Sequence, residues 1–197
     1  MGGVIAGVDY GSKTSGFTCV AFLVDDTVQL HQAVKNKDAD QWLKGLFEKY
    51  QPLLVGIDAP LSLPGALNGL KGFSNYHFRS ADIKSRAMSP MFLGGLTARA
   101  IELGHWVQKS ISSNAIEVYP KLAAEGIRLD MKRYKKDKTY LLEADALLSN
   151  HVSWSMDELE LSNWHQFDAL LALYSAERFH QDRASCFGEK EEGFIYF

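Results

Sequence analysis

Short apolar runs, each closed by a polar turn, open the chain. Val4 to Val8 is apolar and ends on Asp9; after the glycine-punctuated turn Tyr10 to Gly16, the run Phe17 to Val24 is again strand-like, and Thr27 to Val34 alternates in part. This pattern predicts a three-stranded antiparallel meander with the third strand at an edge and Asp9 at the tip of a rigid central strand. The period then changes. Trp42, Leu43, Leu46, Phe47 and Tyr50 recur at helical spacing, predicting a helix over about 38–50 that Pro52 ends. Leu53 to Ile57 is an unbroken apolar run, as expected of a strand buried on both faces, and it too ends on an aspartate, Asp58.

Helices and strands alternate from there on. Prolines and glycines between Leu61 and Leu93 predict a long active-site loop with a short helix near 79–86. Leu96, Ala100, Leu103 and Val107 predict a helix over 95–110, and Ala115 to Pro120 a strand with Glu117 near its end. Further helices are expected at 137–149, at 155–158 from a capping-box pattern, and from Asn163 to about His180. The last has an apolar stripe of Phe167, Leu170, Leu171 and Tyr174, with Ala169, Ala172 and Ala176 small enough for close packing. Asp168 falls beside that packed face. It needs polar or cationic neighbours, because an unpaired buried ion costs several kcal/mol, on the order given for ions. Gly193 to Phe197 reads as a docked extended segment. The sum is an α/β fold: a mixed central sheet, antiparallel meander plus parallel strands, flanked by helices.

Composition narrows this picture. The 197 residues, 46% hydrophobic, suffice for one domain with a full core, expected to span 1–197. A net charge of −3 argues against a chain that binds nucleic acid or membrane by bulk electrostatics, while leaving room for a local patch. The most basic stretch, Met131 to Lys138, is expected to be a solvated face rather than a nucleic-acid contact. Two cysteines, Cys19 and Cys186, make neither a disulfide framework nor a zinc pattern, and no apolar stretch approaches the roughly 18 residues of a membrane span. A cytoplasmic protein with no membrane partner is expected. The six histidines show no metal-ligand spacing and read as structural or surface residues.

Carboxylates held at strand ends are candidates for metal or phosphate chemistry. Each also has a plainer explanation: Asp9 can open a turn, Asp58 can cap a loop, and Asp168 is favoured by the helix dipole by about 0.3–1 kcal/mol. Arg79 and Lys121 read equally well as surface charges. What joins these positions is a set of motifs in order: GVDYGSKTSG (7–16), GIDAP (56–60), Arg79-Ser80-Ala81-Asp82, EVYP (117–120), FDALLA (167–172) and EGFI (192–195). Together they resemble the ribonuclease-H-like superfamily, and within it the predicted-nuclease family catalogued as domain of unknown function 429.

The resemblance implies a ribonuclease-H-like fold and a metal-dependent nuclease. Asp9, Asp58 and Asp168 would hold Mg2+ or Mn2+, with Glu117 a fourth ligand or a residue orienting one. Arg79 and Lys121 would face phosphate, with Asp82 orienting Arg79, and the substrate would be a nucleic acid or nucleotide. Clustered carboxylates repel one another, so a divalent cation stabilises them, and in phosphodiester hydrolysis it can activate water and stabilise the leaving oxygen. Two other readings stay open. The loop Asp9 to Gly16 resembles the phosphate loop of actin-like ATPases and sugar kinases, although it lacks GK[ST] and the chain has room for only one of the two domains such a cleft needs, so a dimer would have to supply the other. A catalytically silent module could instead use the long loop and basic stretch to hold a nucleotide or protein.

Overall fold

The structure is a computed structural model and describes residues 3–156 and 159–197. Strands β1 (Ile5–Asp9), β2 (Cys19–Val24) and β3 (Thr27–Gln32) form the expected antiparallel meander. Helix α1 (Ala39–Tyr50) follows, its first turn capped by Asp38, which accepts from the backbone N–H of Asp40 and Gln41. It returns the chain to β4 (Leu54–Asp58), parallel to β1. The long loop carries α2 (Ser80–Ser85) and a single turn, α3 (Pro90–Leu93), started by Ser89. Then come α4 (Gly95–Ser110), β5 (Asn114–Val118), α5 (Pro120–Gly126), α6 (Leu141–Ser149), α7 (Trp164–His180), β6 (Cys186–Glu189) and β7 (Gly193–Tyr196).

The seven strands lie in the order β3-β2-β1-β4-β5-β7-β6, with β4, β5 and β7 continuing from β1 in parallel and β6 antiparallel at the far edge. This is the expected mixed sheet, an antiparallel meander plus parallel strands, flanked by helices. Alternate residues of the central strands serve opposite faces, as a period of two requires. Ala6, Val8, Val55 and Ile57 pack against Leu43 and Phe47 of α1 and Leu103 and Val107 of α4. Ile5 and Leu54 face the other way, towards the apolar residues of α7.

That second face contains the contact that sets the site. Gly7 of β1 and Gly56 of β4 are paired in register, and α7 lies directly on them. A Cβ on Gly7 would collide with the backbone of Leu173, and one on Gly56 would come within 3.0 Å of Ala172 O and Ala176 Cβ. Only glycine opposite small helix residues permits so close an approach.

Several expectations are corrected. Pro120 does not close a strand; it opens α5, because proline is pre-organised for a helix's first position and its missing N–H costs nothing there. The C-terminal segment is extended as expected, but as one arm of the β6–β7 hairpin. Helix 137–149 begins as a 3₁₀ turn, Lys138–Tyr140, before α6. The short helix expected at 155–158 rests on Asp157 and Glu158, which lie outside the described residues; Ser155 forms an isolated bridge with Thr27. Among the described residues no helix is long and apolar enough to cross a membrane. Both cysteines are free, Cys19 buried and Cys186 exposed.

Candidate active site

Asp9 and Asp58 end β1 and β4 and are direct partners in the register. Each stands two residues beyond its glycine, so both carboxylates share the face on which α7 rides. Asp168 precedes Ala172 by four residues and thus lies on the same side of α7, one turn nearer those strand ends. It is 1% exposed. Burial and the charge of Asp9 push Asp58 well above the usual carboxylate range. Burial likewise pushes Asp168 up to about 6, with Lys135 opposing the rise and Asp9 adding to it. These acids sense one another, and each resists the ionisation of the next.

Two basic groups answer that charge, and neither was singled out in the sequence. Lys135 comes from the turn after α5, at a left-handed backbone position (φ 63°), and its ammonium forms an ion pair with Asp168 Oδ2. Burial would pull this lysine's pKa down, but the charges of Asp168, Asp58 and Asp9 outweigh it and leave it raised. Its neighbour Tyr134 is buried and donates its hydroxyl to Asp168 Oδ1. Tyr134 therefore turns inward, against the expectation of a solvated basic face, whereas Lys135 remains about half exposed (47%) and reaches Asp168 with its ammonium alone. Arg133 behaves as a surface cation, paired with Asp137 and Glu143 at 2.9 Å each.

The second group is the imidazole of His165. Its Nδ1 lies 2.8 Å from Asp9 Oδ2, and the hydrogen bond to that carboxylate raises its pKa. Asn163 caps α7 by accepting from the backbone N–H of His165 and Gln166, and Phe17 stacks on the imidazole at 4.7 Å and 13°. The reading of the histidines as structural overlooked a usable signal: His165 and Asp168 are three residues apart, hence on one helix face.

Arg79 does not face solvent or phosphate. It is fully buried, and its guanidinium donates to Asp82 Oδ1 (2.6 Å), to both oxygens of Glu117 (2.6 and 2.7 Å) and to Ser62 Oγ (2.7 Å). Burial opposes its charge, but Glu117 and Asp82 hold its pKa above the usual value. Asp82 does orient Arg79, also accepting its backbone N–H at 2.7 Å. Glu117 is thereby committed: besides Arg79 it accepts from Leu61 N at 2.9 Å, and burial raises its pKa against the pull of the guanidinium. Glu192, between β6 and β7, completes the frame by accepting from Gly65 N (2.7 Å) and Ser80 N (2.8 Å). Lys121, half-buried in the first turn of α5, makes no ion pair among the described residues.

Among the described residues no set of three or more His, Cys, Asp or Glu side chains is arranged to hold a metal ion. The donor types nevertheless suit a hard divalent cation: buried carboxylates whose ionisation is opposed by burial and by one another, beside an imidazole. In this arrangement Lys135 supplies compensating charge to Asp168, and His165 hydrogen-bonds Asp9. Beside Asp58 and Lys135 opens a cavity of about 370 Å³ that reaches Asp82 and Glu117 at its base.

A family model described as a protein of unknown function, DUF429, matches residues 79–193. A sequence comparison with curated proteins found no match. Among solved structures, T. thermophilus RuvC in complex with a Holliday junction substrate is similar with 11% identity and a TM-score of 0.49, covering 92% of this chain and 98% of that one. A Thermus thermophilus RuvC structure gives 12% identity and 0.49 over 91% and 97%. The yeast mitochondrial Holliday junction resolvase Ydc2 gives 15% and 0.44 over 91% and 79%.

Proposed function

The chain belongs to the DUF429 family of proteins of unknown function, and we propose that this member is a single-domain, metal-dependent nuclease hydrolysing phosphodiester bonds. The observation that carries the reading is the in-register pair Asp9 and Asp58 with Asp168 laid beside it by α7. Three acids placed by two rigid strands and a tightly packed helix are costly to assemble, and a bound cation offsets that cost.

Asp9, Asp58 and Asp168 would hold Mg2+ or Mn2+, with His165 at the edge of the set. The cation would lower the pKa of a bound water and polarise the phosphate. The protein's own groups do the rest. The strand ends keep the carboxylates in place without reorganisation, and His165, oriented through Nδ1 by Asp9 and stacked on Phe17, can take or give a proton at Nε2. Lys135, displaced from Asp168, would pair with a phosphate oxygen. Arg79 acts at one remove, fixing Glu117 and the loop after β4. The free cysteines suit a reducing, cytoplasmic setting.

One observation favours the catalytically silent module instead: Lys135 and His165 already engage two of the acids. Calorimetric titration of Mg2+ and Mn2+ into the wild type and the Asp9→Asn and Asp168→Asn variants, followed by cleavage assays on labelled DNA and RNA, separates the two readings. Binding lost in both variants together with metal-dependent cleavage supports the nuclease. Nucleic-acid binding without cleavage in either metal supports the module.

A further inference from the structure

The cavity beside the acids has a character the hydrolytic chemistry does not explain. Asp58 and the half-exposed Lys135 line it, while Ala59, Pro60, Met88 and Leu96 supply apolar wall and Tyr10 and Tyr119 supply aromatic wall. Its volume, about 370 Å³, is at the small end of the roughly 300–1,000 Å³ typical of ligand pockets. It suits one compact group, not a length of polymer. The polar groups at its base are spoken for: the carboxylates of Asp82 and Glu117 are bonded to Arg79, and the Tyr10 hydroxyl donates to Asp40 at 2.6 Å. Tyr119 is the aromatic wall residue whose hydroxyl has no partner among the described residues.

Charge selects the occupant further. Arg79 is already matched by Asp82 and Glu117 and Lys135 by Asp168, so among the described residues the cavity holds no unpaired cation for an anionic group inside, and a phosphate belongs outside, beside the half-exposed Lys135. A flat, neutral group attached to a phosphate meets all of these demands. Resting on the nuclease reading of the same site, we infer that the cavity receives one unpaired nucleobase next to the scissile phosphate, so that the preferred substrate is single-stranded or carries an extrahelical nucleotide. A base stacked within a duplex cannot enter it. Arg79 makes the pocket preformed, since its ion pairs pin the base of the cavity from α2 and β5 at once.

The test uses the full chain and three labelled DNA duplexes: one fully paired, one with a single bulged adenine, and one with an abasic bulge. Fluorescence anisotropy in EDTA reads binding without cleavage. The bulged adenine is expected to bind about tenfold or more tighter than the abasic bulge, the range for one stacked base. Ala87→Phe, which fills the half-exposed wall of the pocket, should bring that ratio to about one. The abasic comparison needs no altered protein, so it stands even if that variant folds poorly. Equal binding of the bulged-adenine and abasic duplexes, no binding at all, or a base preference that survives Ala87→Phe in a folded protein overturns the inference. Cleavage in Mn2+ is scored separately: base-dependent binding without cleavage keeps the pocket and removes the nuclease, whereas cleavage indifferent to the base does the reverse.

Discussion

His165 Nδ1 meets Asp9 Oδ2 at 2.8 Å, so the start of α7 is tied to the end of β1 by a charge-assisted hydrogen bond. That bond is the main reason the imidazole's pKa is raised. In Asp9→Asn the His165 pKa should fall back towards its ordinary value, read by NMR titration of the ring protons. An unchanged titration would show that another group holds the proton.

Asp168 should leave a signature in stability against pH. Its folded pKa, about 6, exceeds the unfolded value of roughly 3.9, so between those limits the folded state binds more protons. Its contribution is therefore complete below about pH 4 and is lost as pH rises through about 6. Asp168→Asn lacks this term. In urea unfolding, the stability of the variant relative to the wild type should climb between pH 4 and 7; parallel curves would contradict the assignment.

Removing Arg79 should be far worse than removing an exposed arginine. Arg79→Met leaves Asp82 and Glu117 buried without a counter-charge, at a cost of about 3–5 kcal/mol. The triple change Arg79→Met, Asp82→Asn, Glu117→Gln should recover a good part of the loss in denaturant unfolding. If the single variant costs less than about 1 kcal/mol, the cluster is not the clamp described here.

Lys135→Met removes the ammonium that competes for Asp168. Calorimetry should show Mn2+ or Mg2+ binding tightened by a factor of about five or more, the scale of one nearby charge interaction. Weakened binding would mean that Lys135 supports the ion instead of opposing it.

Gly7→Ala should destabilise by about 1–3 kcal/mol or more, because the new methyl group meets the Leu173 backbone, which cannot rotate aside. Cation binding should fall with it, since Asp168 moves with α7. Gly45, with nothing near its absent Cβ, is the control.

The positions of these groups were unequally readable from the sequence. The ends of β1 and β4, and with them the places of Asp9 and Asp58, follow from apolar runs that stop at an aspartate. The span of α7 follows from its stripe and its Asn163 cap. Periodicity says nothing about which way a turn points, so the burial of Tyr134 and the reach of the half-exposed Lys135 to Asp168 were hidden inside a run of charges that composition marks as solvated. The burial of Arg79 was equally opaque. Asp82 is a local partner, but Glu117 lies 38 residues on in another strand, and only the folded sheet brings it near. Pro120 was readable and misread, since a proline after a strand fits a strand end as well as a helix start.

Glu192 closes the frame around the cavity from 127 residues beyond Gly65 and 112 beyond Ser80. Such separations span most of the chain, so the frame cannot close until the C-terminal hairpin has been made. A chain emerging from the ribosome thus carries Asp9, Asp58 and even Asp168 well before it holds the hairpin that fixes the pocket, and β7 also brings Ile195 to the pocket lining. The acids are made early and the cavity is finished late, so a nascent or nicked chain lacking that hairpin has the charges of the site without its shape.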